Sequence, residues 1–198
     1  MLVFVRQRLV LLATPKTAST ALQLALMRHA DIVTKGLPAA KHISYPRYLR
    51  QVAPLVEGLA RGPVEVCALV RDPVDWLGSW YRYRRAEALA GTPRSTAHLG
   101  FDGFVEAWLA PDPPVFARVG TQSAFLTRPS DGTPVPTLWR YEAMDAFAAW
   151  LAERLEVELR LEQHNVSSIP RSPLPPALHA RAEAALAADM ALWRGARH

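Results

Sequence analysis

The sequence contains a single cysteine, Cys67, inside the apolar run VEVCALV. One cysteine excludes an internal disulfide and a cysteine-based zinc site, and it suits a reducing compartment such as the cytoplasm. No apolar run approaches the roughly 18 residues that cross a membrane. Arg6 and Arg8 interrupt the apolar N-terminal segment, and no small-residue cleavage site follows. We therefore expect neither a membrane span nor a signal peptide.

Lysine is also scarce, because Lys16, Lys35 and Lys41 are the only lysines among 23 basic residues. The arginines are spread along the whole chain without an aromatic-interleaved basic repeat, so the sequence does not predict nucleic-acid binding. The net charge of +5 favours an anionic ligand or partner. No Asp/Glu cluster typical of a metal site stands out, and we expect no bound metal.

Apolar segments of strand length alternate with helical segments along the chain. Strands are predicted at 8–13, 64–70, 136–141 and 157–161, and residues 2–5 are either an earlier part of the first strand or a separate short strand. Helices are predicted at 17–29, 45–60 with an interruption at Pro54, 73–89, 101–109, 118–126, 142–155 and 174–193. This alternation predicts one α/β domain, residues 1–198, whose central, mainly parallel sheet is covered on both faces.

The first predicted strand ends in the turn TPKTAST, residues 14–20. A strand-to-helix turn directs several backbone N–H groups at one point, and together with the helix dipole these bind anions. Lys16 adds a positive charge, and Thr17, Ser19 and Thr20 add hydroxyl donors. The glycines of a Walker A motif are absent. The alternative is an ordinary helix start, with Thr17 or Ser19 as the N-cap and a solvated Lys16.

A second strand-to-helix turn, RDPVDWLGSWYRYRR, follows the strand at 64–70. Arg71 lies at the carboxyl end of that strand, and Ser79 lies about two turns into the helix. Ligands of open parallel sheets bind outside the carboxyl ends of the strands, so both turns are predicted to face one crevice. An arginine fork and a hydroxyl there can hold a second phosphate.

The two turns together resemble sulfotransferases that use 3′-phosphoadenosine 5′-phosphosulfate (PAPS). TPKTAST resembles the 5′-phosphosulfate loop of that family, and RDPVDWLGSWY resembles its 3′-phosphate motif. LWRYEAM and HNVSS resemble two further segments of its Golgi-type and bacterial members. The resemblance covers most of the chain in the expected order. It implies a P-loop NTPase-like three-layer sandwich and transfer of a sulfuryl group from PAPS to a hydroxyl or amine acceptor.

The resemblance also implies roles for individual residues. The 5′-phosphosulfate would be held by Pro15, Lys16, Thr17, Ala18, Ser19 and Thr20. The 3′-phosphate would be held by Arg71 and Ser79, with Arg171 as a third partner. Lys16 would stabilise the leaving phosphate oxygen. Ala18 stands where many members have glycine, and the chain is short for the family.

A hydroxyl acceptor needs a base to remove its proton. Members of this family use a histidine or a glutamate between the two phosphate motifs or soon after them, and AAKHISY places His42 in that interval. The alternative is a hydrogen-bonded or surface histidine, and Glu87 and His98 are weaker rivals. Asp72 is predicted to orient Arg71 or to cap the following helix, and Glu142 is predicted to be structural. Asn165 and Ser167 are further candidates for nucleotide contact.

Two groups on the helix at 73–89 have alternative interpretations. Trp76, Trp80 and Tyr83 are predicted to be core side chains, with an acceptor platform as the alternative. Arg82, Arg84 and Arg85 are predicted to form a solvated face, with attraction of an acidic acceptor as the alternative. For the whole protein, the alternatives are a small-molecule P-loop kinase and a PAP-binding module that has lost catalysis, where PAP is the desulfated product. A homo-oligomer is compatible with the sequence.

Overall fold

A computed structural model of the chain describes residues 1–161 and 172–198. In this part of the chain five strands form one sheet in the order β3-β1-β2-β4-β5. They are β1 (Leu2–Phe4), β2 (Leu9–Leu11), β3 (Ile32–Val33), β4 (Glu65–Val70) and β5 (Thr137–Arg140). β2, β4 and β5 run parallel, whereas β1 is antiparallel to both of its neighbours. The predicted α/β class is confirmed, with a sheet that is mixed.

A separate short strand forms at Leu2–Phe4, because the chain reverses between β1 and β2. Leu2 pairs with Leu11 and Phe4 with Leu9. The reversal is closed by Arg8, which has a φ of 50° and whose N–H donates to the Val5 carbonyl at 3.1 Å. Of the two predicted alternatives, a separate short strand is therefore the one that forms. β3, a two-residue strand at the sheet edge, was not predicted, since two residues carry no detectable period.

The helices lie on both faces of this sheet. Their bounds are α1 (Ser19–Leu26), α2 (Pro38–Lys41), α3 (Tyr45–Gln51), α4 (Ala53–Ala60), α5 (Pro73–Arg84), α6 (Phe101–Leu109), α7 (Gln122–Leu126), α8 (Met144–Leu155), α9 (Pro176–Ala185) and α10 (Ala187–Gly195). Short 3₁₀ turns occupy Glu87–Leu89, Val115–Ala117 and Tyr141–Ala143. No helix within the described ranges is long and apolar enough to cross a membrane.

Alternate residues of the strands face opposite layers, as strand geometry requires. Val10 and Ala68 pack with α3, α4 and α7 on one face, and Leu11 and Cys67 pack with α1 and α8 on the other. A third apolar cluster joins α5, α6 and α9 beside the sheet. Burial on both faces explains why β2 and β4 read as continuous apolar runs.

Two predicted helices are each divided in the structure. The segment 45–60 breaks at Val52, because Pro54 has no N–H to continue the hydrogen-bond ladder from the first half. The segment 174–193 breaks at Leu186, which ends α9 and precedes α10. Other predicted helices are shorter than expected: α1 begins two residues late, at Ser19, and α7 begins at Gln122.

The strand predicted at 157–161 does not form. Its apolar side chains Val157, Leu159 and Leu161 pack against the face that carries Cys67, in an irregular backbone. The outer edge of β5 is already occupied, since the Arg197 N–H donates to the Leu138 carbonyl and the Arg140 N–H donates to the Arg197 carbonyl, each near 2.9 Å. The alternating apolar residues at 157–161 therefore indicate a buried segment and not a strand that pairs with the sheet. Arg171, Asn165 and Ser167 lie outside the described residues.

Candidate functional site

The two strand-to-helix turns lie side by side, because they follow β2 and β4, which are parallel neighbours in the sheet. Two side chains of the second turn reach the backbone of the first. The Trp76 indole N–H donates to the Pro15 carbonyl at 3.0 Å, and Arg71 Nη1 donates to the Lys16 carbonyl at 3.1 Å. The predicted convergence at the carboxyl edge of the sheet is therefore what the structure has.

Three successive carbonyls of the first turn point into the protein. Besides the Pro15 and Lys16 contacts, the Thr17 hydroxyl donates to the Thr14 carbonyl at 3.0 Å. A trans peptide directs its N–H opposite to its C=O, so the N–H groups of Lys16 and Thr17 point away from the two supporting side chains. The conformation requires left-handed backbone at Lys16 (φ 66°) and Ala18 (φ 56°). Such a conformation costs a non-glycine residue about 1 kcal/mol.

The amino end of α1 has no side-chain cap. Ala18 occupies the N-cap position, where an alanine offers no acceptor, and the first helical bond runs from the Leu22 N–H to the Ala18 carbonyl. The N–H groups of Ser19, Thr20 and Ala21 consequently have no intrahelical partner. The alternative of a Thr17 or Ser19 cap is wrong, because Ala18 is the N-cap and the Thr17 hydroxyl donates to the Thr14 carbonyl. Uncapped amides beside a lysine are suited to an anion.

Lys16 lies against two aromatic rings of α5. Its Nζ is 3.1 Å from the centroid of the Tyr83 ring and 4.8 Å from that of Trp80. Burial lowers the pKa of Lys16 from 10.5 to about 7, and the charges of Arg84, Lys41 and Arg71 act in the same direction. The predicted alternative of a solvated lysine does not hold. The cation instead rests on aromatic faces, which stabilise it through cation–π attraction.

A second lysine reaches the same turn, and the sequence interpretation gave it no role. Lys41, the last residue of α2, donates from Nζ to the Thr20 hydroxyl at 2.7 Å. Burial lowers its pKa as well. Neither Lys16 nor Lys41 has a carboxylate within ion-pair distance in residues 1–161 and 172–198. Two of the three lysines thus meet at one turn, although they lie 25 residues apart in the chain and no sequence signal pointed to Lys41.

His42 also packs against this turn. Its Nδ1 lies 2.7 Å from the Ala13 carbonyl, which is an acceptor only, so Nδ1 carries the proton and Nε2 keeps its lone pair. The pKa of His42 is lowered: burial is the largest cause, the Ala13 hydrogen bond opposes it, and the Lys41 charge adds to the decrease. His42 is therefore a neutral imidazole beside the turn near pH 7, with one basic nitrogen.

Arg71 is buried, with 7% of its surface exposed, and its guanidinium is already engaged. Nε and Nη2 donate to one oxygen of Asp75 at 2.8 and 2.6 Å, and the guanidinium carbon lies 4.5 Å from the Tyr141 ring centroid. The arginine therefore supports the Lys16 turn, and its charge is paired with Asp75 and not with Asp72, the orienting partner that the sequence offered. Ser79 is half-buried on α5, four residues after Asp75 and so on the same helix face.

The predicted solvated arginine face of α5 is wrong for all three arginines. Only 11% of the Arg82 side chain is exposed, and its Nη2 lies 3.5 Å from Asp75 Oδ1. Arg84 is buried and donates to the carbonyls of Val115 and Arg118 at 2.7 and 3.1 Å. Arg85 donates to the Tyr81 hydroxyl and to the Leu99 carbonyl. Arg84 and Arg85 fix the segment after α5 onto the helix.

The aromatic residues of α5 divide between the two interpretations. Trp76 is buried core, as predicted. Trp80 packs edge-on against both Trp76 and Tyr83. Tyr83 is 52% exposed, so it is not a core side chain. The exposed ring of Tyr83 therefore lies beside Lys16 at the solvent-facing side of the site.

The structure also places the remaining acidic and histidine candidates of the sequence analysis. Asp72 caps α5 by accepting the Asp75 N–H at 2.9 Å, in accord with one of the two predicted roles. Glu142 accepts the Asp72 N–H at 2.8 Å and the Trp193 indole N–H at 2.9 Å, so it ties β5 and α10 to the second turn. Glu87 is exposed in a 3₁₀ turn, and His98 packs edge-on against Phe116.

Comparison of the chain with protein-family models, with curated proteins and with solved structures found no match in any of the three. In the described ranges, no group of three or more His, Cys, Asp and Glu side chains is arranged to hold a metal ion. The arrangement that the structure does hold is a turn with inward carbonyls, outward amides, two lysines and a neutral histidine. Chemically, such a turn can bind an anion and accept a proton beside it.

Proposed function

We propose that this protein is a PAPS-dependent sulfotransferase of P-loop type. The observation that carries the proposal is the support of the first turn by the second: Arg71 and Trp76 hold the carbonyls of Lys16 and Pro15. Their contacts keep the opposite side of the turn free for an anion. The two sequence segments that resemble phosphate motifs are thus parts of one arrangement, which supports the resemblance more than either segment does alone.

The reaction we propose is an in-line displacement at sulfur. The acceptor oxygen or nitrogen attacks the sulfur atom, the bond between sulfur and the bridging phosphate oxygen breaks, and PAP leaves with the electron pair. His42 Nε2 takes the acceptor proton. Charge grows on the leaving phosphate oxygen in such a transfer, and cations placed there stabilise it. Lys16 and Lys41 are the two cations of the turn, and Lys16 would leave the Tyr83 ring to act.

For the 3′-phosphate we propose Arg71 and Ser79. The Arg71 guanidinium has five N–H donors, and the contacts to Asp75 and Lys16 use three of them. The remaining donors suffice for one phosphate oxygen. The acceptor is a hydroxyl or amine compound, and the exposed ring of Tyr83 supports a site for it on the α5 side.

A second candidate is a nucleotide-binding module without turnover. The position of Lys16 favours it, since its Nζ lies 3.1 Å from the centroid of the Tyr83 ring and would have to leave that ring to act on a leaving group. Such a module would bind PAP and PAPS alike and release both unchanged. Sulfuryl transfer to any hydroxyl or amine acceptor excludes it.

Calorimetric titration of PAP without magnesium tests the proposal directly. We expect micromolar binding to the wild type and affinities lower by about 1–3 kcal/mol in Lys16→Ala and Arg71→Ala, the cost of a lost charged hydrogen bond. Lys35→Ala is the matched control, because Lys35 is exposed and outside the site. Absence of PAP binding to the folded wild type refutes the sulfotransferase proposal, and magnesium-dependent binding of ATP in its place identifies a kinase.

A further inference from the structure

A buried glutamine completes the backbone of the second turn. β4 ends at Val70, which pairs with Arg140 of β5, and the next residue, Arg71, lies beyond the strand ladder. The Arg71 N–H donates to Gln122 Oε1 at 2.9 Å, and Gln122 Nε2 donates to the Arg71 carbonyl at 2.8 Å. One side-chain amide therefore takes the place of a neighbouring strand at Arg71. Gln122 is 1% exposed, so water does not compete for these bonds.

Gln122 is itself held by a carboxylate of the C-terminal helix. Asp189 of α10 accepts the N–H groups of Gln122 and Ser123 at 2.7 and 2.8 Å, and it is 1% exposed. A carboxylate at these two amides complements the amino end of α7 and forms charge-assisted bonds. Thr121 accepts the next amide, that of Ala124, and completes the cap. The first residue of α7 is thus fixed in place by α10.

The same chain of contacts reaches the anion turn. The side chain of Arg71 donates to the Lys16 carbonyl, and Asp75 orients its guanidinium. Lys16 has a left-handed φ that a non-glycine residue adopts only when its surroundings hold it there. Asp189, Gln122 and Arg71 therefore form a continuous path from α10 to the peptide whose N–H faces the proposed ligand.

We propose that Gln122 and Asp189 are positioning residues, which hold Arg71 and through it the Lys16 peptide in the anion-binding conformation. They contact no ligand themselves. The role in nucleotide affinity rests on the proposed function, whereas the mechanical coupling of α10 to the turn does not. The two parts can accordingly be tested by separate measurements.

Hydrogen–deuterium exchange of the free protein tests the coupling without any nucleotide. Gln122→Leu fills the same volume but removes both bonds to Arg71, and we expect faster exchange than in the wild type at the Leu22 amide, whose bond to the Ala18 carbonyl closes the turn onto α1. Asp189→Asn, a milder variant that keeps one acceptor oxygen, should give a smaller increase. Thr137→Val is the matched control, since it removes the hydrogen bond from the buried Thr137 to Glu65 at the opposite end of β4. Wild-type exchange at the Leu22 amide in a folded Gln122→Leu variant overturns the proposal.

A double-mutant cycle on PAP affinity tests the positioning role. Gln122→Leu should weaken binding about tenfold. It should cause no further loss when Arg71 is already alanine, because its effect passes through that side chain. The positioning role is contradicted if the losses of PAP affinity from the two substitutions multiply in the double variant. It is also contradicted if Gln122→Leu binds PAP as tightly as the wild type. If the wild type itself binds no PAP, the proposed function fails, and the exchange experiment still decides the coupling.

Discussion

Replacing Lys16 with methionine should stabilise the ligand-free protein and weaken PAP binding by about 1–3 kcal/mol. The pKa of Lys16 falls from 10.5 to about 7 on folding, chiefly because of burial. At about 1.4 kcal/mol per unit, this corresponds to about 5 kcal/mol of unfavourable free energy for the charged form. Methionine is an unbranched apolar side chain of similar length, so we expect a gain of about 4 kcal/mol near pH 7, where half of the folded lysine has already lost its proton.

The sign of the pH dependence follows from proton linkage. Between pH 7 and 10.5 the unfolded chain keeps the Lys16 proton and the folded chain has lost it. Wild-type stability therefore rises with pH across this window relative to Lys16→Met, and the advantage of the variant shrinks from its full value below pH 7 toward zero near pH 10. The other titrating groups are common to both proteins and cancel in the difference.

Thermal unfolding at several pH values, with and without PAP, measures both effects. For a chain of this size, about 4 kcal/mol raises the Tm by about 8–16 °C. Lys35→Met controls for loss of an exposed lysine and should leave the Tm unchanged. A lower Tm in Lys16→Met at pH 7, or a difference that does not shrink with pH, refutes the argument from burial. Unchanged PAP affinity refutes the role of Lys16 in the anion site.

Three further predictions follow from other residues of the fold. Ala18→Gly should stabilise the protein by about 0.5–1 kcal/mol in urea unfolding, because glycine adopts the φ of 56° without strain, and a loss of stability would show that the alanine methyl group matters more. His42→Ala should bind PAP normally but transfer no sulfuryl group. The wild-type rate should decline only at a pH below 6.5, because the pKa of His42 is lowered, and an acid limb that persists in His42→Ala would assign the base elsewhere. Cys67 should react with a thiol reagent only on unfolding, since it is fully buried and burial raises its thiol pKa, and rapid labelling of the native protein would contradict the packing of β4.

Several parts of the fold were readable from local sequence. The strands at Leu9–Leu11, Glu65–Val70 and Thr137–Arg140 lie within predicted segments, because a strand buried on both faces is apolar throughout. The helix at Phe101–Leu109 has the predicted bounds. The strand predicted at 157–161 failed because its alternating apolar residues report burial, and only the occupation of the β5 edge by Arg197 decides that they do not pair.

The sequence by itself determined that two strand-to-helix turns, one with Lys16 and one with Arg71, end at the same edge of a sheet. Turn chemistry and the direction of parallel strands are enough for that conclusion. Only the tertiary structure decided where the side chains of those turns go. Lys16 rests on Tyr83, Arg71 pairs with Asp75, and Lys41 reaches Thr20. The placement of Lys16 and Lys41 depends on burial and on contacts between residues far apart in the chain, and no local pattern encodes such contacts.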